Sequence, residues 1–294
     1  MAIPSQTPSR EHRIHAGGLD LALTTFTATS SGAPPLVLLH GIGSRGTSWW
    51  PVIDPLAERF PLYVVDLRGH GGSSRPPRGY RLPDYAGDLA ALLEVLGLER
   101  PAILGHSLGG LIALQWAVTY PDEAVSLILE DTSFRGGRDV LPAVDGWLAL
   151  NALTPEQAAA YYAREYPSWG AEDCRRRAET ITGTAPGVFV DLRTEAANPQ
   201  LPSDRIPPLR VIRSPVLLIH GDRDAGSMVV PEDADRFADT VPQSHVVRIP
   251  GAGHSIHRDF PDAFLAAVVP FLLGHRETPV LSALADQHQG RDGV

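Results

Sequence analysis

Between a short apolar run at residues 102–104 and an apolar-periodic stretch at 107–120 lies Gly105-His106-Ser107-Leu108-Gly109. A strand that turns into a helix through one serine reverses so sharply that side chains at the flanking positions would collide, and glycines at 105 and 109 remove that obstacle. The pattern restricts the chain to a strand–turn–helix unit, and such units belong in parallel sheets with crossover helices. The rest of the sequence has the matching rhythm. Residues 11–15, 19–27, 36–39, 62–65, 102–104, 126–129, 216–219 and 246–249 read as strands, the first two as an antiparallel pair. Between them, 47–60, 82–96, 107–120, 232–240 and 263–273 carry apolar residues at helical spacing and should cover both sheet faces.

One interval breaks this alternation. Residues 133–213 are far longer than an ordinary crossover and carry helix signals of their own, such as Thr154-Pro155-Glu156-Gln157, where threonine and glutamine form a capping box. We expect a helical cap there, inserted into a core made of 1–132 and 214–274, with a flexible polar tail over 275–294. Trp147, Tyr161, Tyr162, Tyr166 and Trp169 are the candidates to line a substrate pocket in that cap; packing of one helix on its neighbour is the competing use of such residues.

The 294 residues are 43% hydrophobic and 20% charged with no long apolar run, which fits one globular core with an insertion and excludes a membrane-spanning or disordered chain. The formal charge of −9 is spread along the chain, which argues against nucleic acid and membrane surfaces as partners. The single cysteine, Cys174, cannot form an internal disulfide, and residues 1–10 are polar, so a cytoplasmic protein is expected. Arginines at 175–177 follow Cys174, but no histidine lies near it in sequence, so it reads as a small buried apolar residue.

A serine hydroxyl is a weak nucleophile at neutral pH and needs a base. His254 follows the last strand candidate in Pro250-Gly251-Ala252-Gly253-His254, which brings it to the same carboxyl edge of the sheet as Ser107. His257 is close in sequence, but an H-x-x-H pair without further ligands does not define a metal site. The base needs a carboxylate to hold its tautomer. Asp222 directly follows Gly221 and serves the turn, whereas Asp224 lies deeper in the loop and is the first choice; Asp131, after the sixth strand candidate, is the rival. The N–H of Leu108 opens a helix, and that of Ile42 sits in the glycine-flanked His40-Gly41-Ile42-Gly43 loop, so these two are the expected oxyanion donors, with His40 bracing the loop.

Taken with Asp66-Leu67-Arg68-Gly69-His70-Gly71, these motifs resemble the α/β-hydrolase fold family over residues 36–273. The resemblance implies a mostly parallel eight-stranded sheet with helices on both faces and a cap after the sixth strand. It also implies the chain order Ser107, Asp224, His254, and a structural turn at 66–71. Superfamily members that open epoxides or remove halides place aspartate where Ser107 stands, so those chemistries are disfavoured. Fungal zearalenone lactonases, a minority type, carry the acid after the sixth strand, where this chain has Asp131. The implied activity is hydrolysis of a small carboxylic ester or lactone with no cofactor or metal. A C–C bond hydrolase of the ring-cleavage type, or a ligand receptor or scaffold on the same fold, are the alternatives. Caps of this kind mediate dimers in relatives, which makes a homodimer an expectation.

Overall fold

Strands covered on both faces are apolar at every position, and the four leucine and valine residues of 36–39 are each buried. The computed structural model describes residues 5–28, 32–167 and 169–274; residues 275–294, read from sequence as a tail, lie outside the described residues. The sheet contains β1 (Ser9–Ala16), β2 (Leu19–Phe26), β3 (Leu36–Leu39), β4 (Leu62–Val65), β5 (Ala102–His106), β6 (Ser126–Glu130), β7 (Val216–His220) and β8 (Ser244–Arg248). Their spatial order is β1-β2-β4-β3-β5-β6-β7-β8, with β1–β2 and β2–β4 antiparallel and all other pairs parallel. This is the eight-stranded, mostly parallel sheet expected from the sequence.

Ten helices complete the described chain: α1 (Trp50–Ala57), α2 (Leu82–Leu96), α3 (Leu108–Thr119), α4 (Leu141–Asn151), α5 (Pro155–Glu165), α6 (Ala171–Thr182), α7 (Pro186–Ala197), α8 (Pro231–Thr240), α9 (Ile256–Asp259) and α10 (Pro261–Leu272). The two-residue period of the strands sorts their side chains between two cores. Leu36, Leu38, Leu104 and Ile219 pack with α1, α9 and α10 on one face. Val37, Leu39, Ile103 and Leu218 pack with α2, α3 and α8 on the other. The stretch read as a helix over 47–60 is a tight turn of helix at Gly46–Trp49 followed by α1, which ends at Ala57. Among the described residues, no helix is long and apolar enough to cross a membrane.

Four helices, α4 to α7, fill the interval between β6 and β7. Within it α5 packs on α6 and α4 on α7. The capping box is present: Gln157 N–H donates to Thr154 Oγ1 at 3.3 Å, and Thr154 N–H donates to Gln157 Oε1 at 3.0 Å. Tyr162, Cys174, Ala178, Ile181 and Phe189 carry these helices into the same core as α2 and α3, so the insertion is seated on the sheet side that holds the nucleophile turn.

Candidate active site

The sheet order reverses direction around β3, between β4 and β5, and loops at the carboxyl ends of such a switch point form the crevice where α/β proteins bind ligands. The loops after β3 and β5 carry Ile42 and Ser107 to that crevice. Ser107 has φ +52° and ψ −110°, a conformation that L residues adopt only when the surroundings enforce it. They do so here: Ser107 N–H donates to Glu130 O at 2.9 Å. A Cβ on Gly105 would lie 2.3 Å from the Gly109 carbonyl carbon, and one on Gly109 would lie 2.0 Å from the Leu39 carbonyl oxygen. Helix α3 crowds Gly105 and strand β3 crowds Gly109 so closely that only glycine fits at either position.

Ser107 and His254 line one small cleft, with about 90 Å³ of room, together with Gly41, Ile42 and Trp147. Leu108 is the first residue of α3, so its N–H has no carbonyl one turn earlier to serve. Ile42 lies in the loop after β3, which is tied down by Gly43 N–H donating to His70 Nε2 at 3.1 Å. His40 braces the same region as expected. Its Nδ1–H donates to Gly41 O at 2.8 Å, and its Nε2 accepts the Leu67 N–H at 3.1 Å. Burial drives His40 down to about 4, with Arg45 adding to the shift against the Gly41 bond, so the ring is a neutral brace. Asp66 accepts the backbone N–H of Gly46 at 2.6 Å and of Gly72 at 2.8 Å, which makes the 66–71 turn structural.

The carboxylate on His254 belongs to Asp131, which corrects the first choice made from sequence. His254 Nδ1 lies 2.6 Å from Asp131 Oδ2, and Asp131 is fully buried. Asp224 is exposed, on the short helical turn Arg223–Ala225 after β7, which Gly226 ends at φ +100°. That turn aims Asp224 away from His254, into a surface hollow shared with Asp222 and Arg248. The loop after β7 serves the site differently. Ser227 Oγ–H donates to Asp131 Oδ1 at 2.5 Å, and Met228 N–H donates to Asp131 Oδ2 at 2.7 Å. Asp131 itself has φ +41°, at the end of β6 and one strand from Ser107. Asp222 holds its turn as read, accepting from Arg248 Nε–H at 2.5 Å and Gly251 N–H at 2.8 Å.

A second buried pair sits behind the first. Glu130, adjacent to Asp131, accepts both the backbone N–H and the Nδ1–H of His257 at 2.8 Å. Burial raises the Glu130 carboxyl, but the positive potential and hydrogen bonds of His257, with His106 close by, hold it below the usual carboxylate range. His106 Nε2–H donates to His254 O at 2.8 Å, and burial drives this ring down to about 3 despite Glu130. Together these contacts fix the backbone that carries His254. Neither Ser227 nor Glu130 had a sequence signal: each acts through a contact with a residue distant in sequence.

Of the five aromatic residues expected to line a pocket, Trp147 alone lines this cleft. Tyr161, Tyr162, Tyr166 and Trp169 instead pack on one another, with Tyr166 and Trp169 stacked at 4.3 Å and Tyr162 and Trp169 at 5.9 Å. They share α5 and the turn after it, so they meet each other before they can reach the cleft.

A strained serine at a strand-to-helix turn, beside a histidine backed by a buried carboxylate, is the architecture of hydrolytic acyl-transfer enzymes. The chain belongs to the Alpha/beta hydrolase family, whose sequence model matches residues 36–267. The 2-(acetamidomethylene)succinate hydrolase of Mesorhizobium japonicum is 31% identical over 262 residues, covering 86% of this chain and 94% of its own. The pimeloyl-[acyl-carrier protein] methyl ester esterase of Chromobacterium violaceum is 30% identical over 262 residues, covering 85% and 98%. Among solved structures, the N-formylmaleamic acid deformylase of Pseudomonas putida S16 matches with a TM-score of 0.76 at 27% identity, over 88% of this chain and 100% of that one.

Proposed function

We propose that this chain is a serine hydrolase that cleaves a carboxylic ester or lactone through an acyl-enzyme on Ser107. The observation that carries the reading is the 2.6 Å contact of His254 with buried Asp131 in the cleft that also holds the strained Ser107. A carboxylate oxygen only accepts, so His254 Nδ1 carries a proton and Nε2 keeps its lone pair for the serine hydroxyl. His254 takes the Ser107 proton as Oγ bonds to the substrate carbonyl carbon. The resulting oxyanion is held by the N–H groups of Ile42 and Leu108. Collapse breaks the bond to the leaving alcohol, which takes the proton from His254. Water then repeats the sequence and frees the acid. Residues 133–213 act as a cap, because α4 and α6 supply Trp147 and Arg177 to the cleft.

One relative is named for a methyl ester, which supports this reading; another is named for hydrolysis of a substituted succinate. The test is Ser107→Ala, which should abolish both turnover of p-nitrophenyl acetate and butyrate and labelling by a fluorophosphonate probe. Retained labelling or turnover refutes the assignment. Cleavage of a vinylogous 1,5-diketone in preference to these esters would assign C–C hydrolysis to the same triad, and tight ligand binding without turnover would assign a receptor.

A further inference from the structure

Two guanidinium groups border the cleft that holds Ser107: Arg177 on α6 and Arg258 on α9. An adjoining space of about 80 Å³ shares both arginines and adds Arg45 and Arg176 against one carboxylate, Asp173. The approach to the nucleophile is therefore cationic in a chain whose net charge is −9. The four arginines are not equivalent. Arg176 is paired with Glu172 at 2.7 Å and Arg45 with Glu179 at 3.6 Å. Arg258 has Asp259 at 3.3 Å along its Nε edge. Arg177 has no carboxylate within ion-pair distance among the described residues; its Nη1 donates to the Gly43 carbonyl, and its guanidinium lies 5.5 Å from the centre of the Tyr162 ring.

The aromatic cluster that missed the cleft has a part here. Trp169 lies under Arg258 with the guanidinium carbon 3.9 Å from the ring centre, as Tyr162 lies beside Arg177. An arginine stacked on a ring keeps its charge and the donors along its outer edge. Arg177 is thus positioned without being neutralised, Arg258 meets Asp259 along its Nε edge, and both border the space in which a substrate would sit.

We propose that the substrate carries a second, ionised carboxylate, and that Arg177 and Arg258 receive it while Ser107 attacks the ester or lactone carbonyl. This rests on the serine-hydrolase reading of the same cleft. A planar carboxylate matches the fork of a guanidinium and can take two parallel N–H bonds from it. Arg177 is bonded to Gly43, next to Ile42, so the acid it receives is only a few bonds from the carbonyl under attack. The substrate class is a monoester or lactone of a short dicarboxylic acid.

Binding and turnover test this separately. Succinate is titrated calorimetrically into Ser107→Ala at low salt, alone and with Arg177→Met or Arg258→Met added. In parallel, kcat/KM is measured for monomethyl succinate and methyl valerate, which differ in the terminal charge. We expect succinate to bind and each arginine substitution to weaken it about ten- to a hundredfold, the range of a charge-assisted hydrogen bond. The intact chain should prefer the charged ester by a similar factor. Arg177→Met should bring the ratio of the two esters close to one, mainly through KM, with partial recovery in Arg177→Lys. Absence of succinate binding, or an equal loss on both esters in Arg177→Met, overturns the proposal and leaves Arg177 as a brace for the Gly43 loop. If fluorophosphonate does not label Ser107 while succinate still binds through the arginines, the serine reading fails and the anion site stands.

Discussion

Replacing Asp131 by asparagine removes a charge while leaving the local hydrogen bonds in place. Oδ2 accepts the Met228 N–H at 2.7 Å and faces His254 Nδ1 at 2.6 Å, while Oδ1 accepts the Ser227 hydroxyl at 2.5 Å. Met228 N–H can only donate, so asparagine must keep its carbonyl oxygen at the Oδ2 position and turn its NH₂ towards Ser227. The serine hydroxyl can reverse its role and accept. His254 then keeps its tautomer, and what disappears is the negative charge opposite the imidazolium formed during attack. Two unit charges about 4 Å apart at an effective dielectric near 20 attract by about 4 kcal/mol, which corresponds to about a 10³-fold fall in kcat. Substrate affinity should change little, because the charge matters only once the proton has moved. Asp224→Asn, on an exposed turn, should stay within about twofold of the parent. The assay is kcat on p-nitrophenyl butyrate for the three proteins, with thermal melts to show that each is folded. A loss of about 10³ in Asp224→Asn, with Asp131→Asn near the parent, would refute the reasoning.

Two further outcomes concern stability. His40, His70 and His106 are held neutral, at about 4, 3 and 3, chiefly by burial, while the unfolded chain protonates them near 6.5. Folded pKa values below the unfolded ones mean that this stability is complete above pH 6.5 and drains away towards pH 3–4. Each ring should remove on the order of 2 kcal/mol by about pH 5, so urea midpoints should drop steeply from pH 7 to 5; a flat profile would contradict it. Gly109→Ala would drive a methyl group against the Leu39 carbonyl oxygen, 2.0 Å from the Cβ position. Backbone cannot yield there, and we expect a loss of at least roughly 3 kcal/mol, seen as insoluble expression or a collapsed melting temperature; a normal melt would show that the turn is more open than described.

The hydrolase fold was legible from sequence because its signals are local. Strand runs, glycines at 105 and 109, and the length of the interval after the sixth strand all report on residues near one another in the chain. Ser107, His254 and the bracing roles of His40 and Asp222 could be read in the same way, since each follows a strand and must emerge at one edge of the sheet. The choice between Asp224 and Asp131 could not. Both carboxylates follow neighbouring strands, β7 and β6, and sequence says only that each reaches the crevice. The decision was made by the loop after β7, which coils into a short turn that faces Asp224 outward and sends Ser227 and Met228 to Asp131 instead.

The aromatic residues of α5 show the same division. Their spacing marked a helix face but not what that face would meet; in the folded chain Tyr162 meets Trp169 and Arg177, and Trp169 in turn lies under Arg258. Local chemistry along the chain determined which elements form and which residue types arrive at the carboxyl edge. Packing between elements far apart in sequence decided which carboxylate touches the imidazole and which cations face the cleft, because those contacts depend on loop directions that no short stretch of sequence contains.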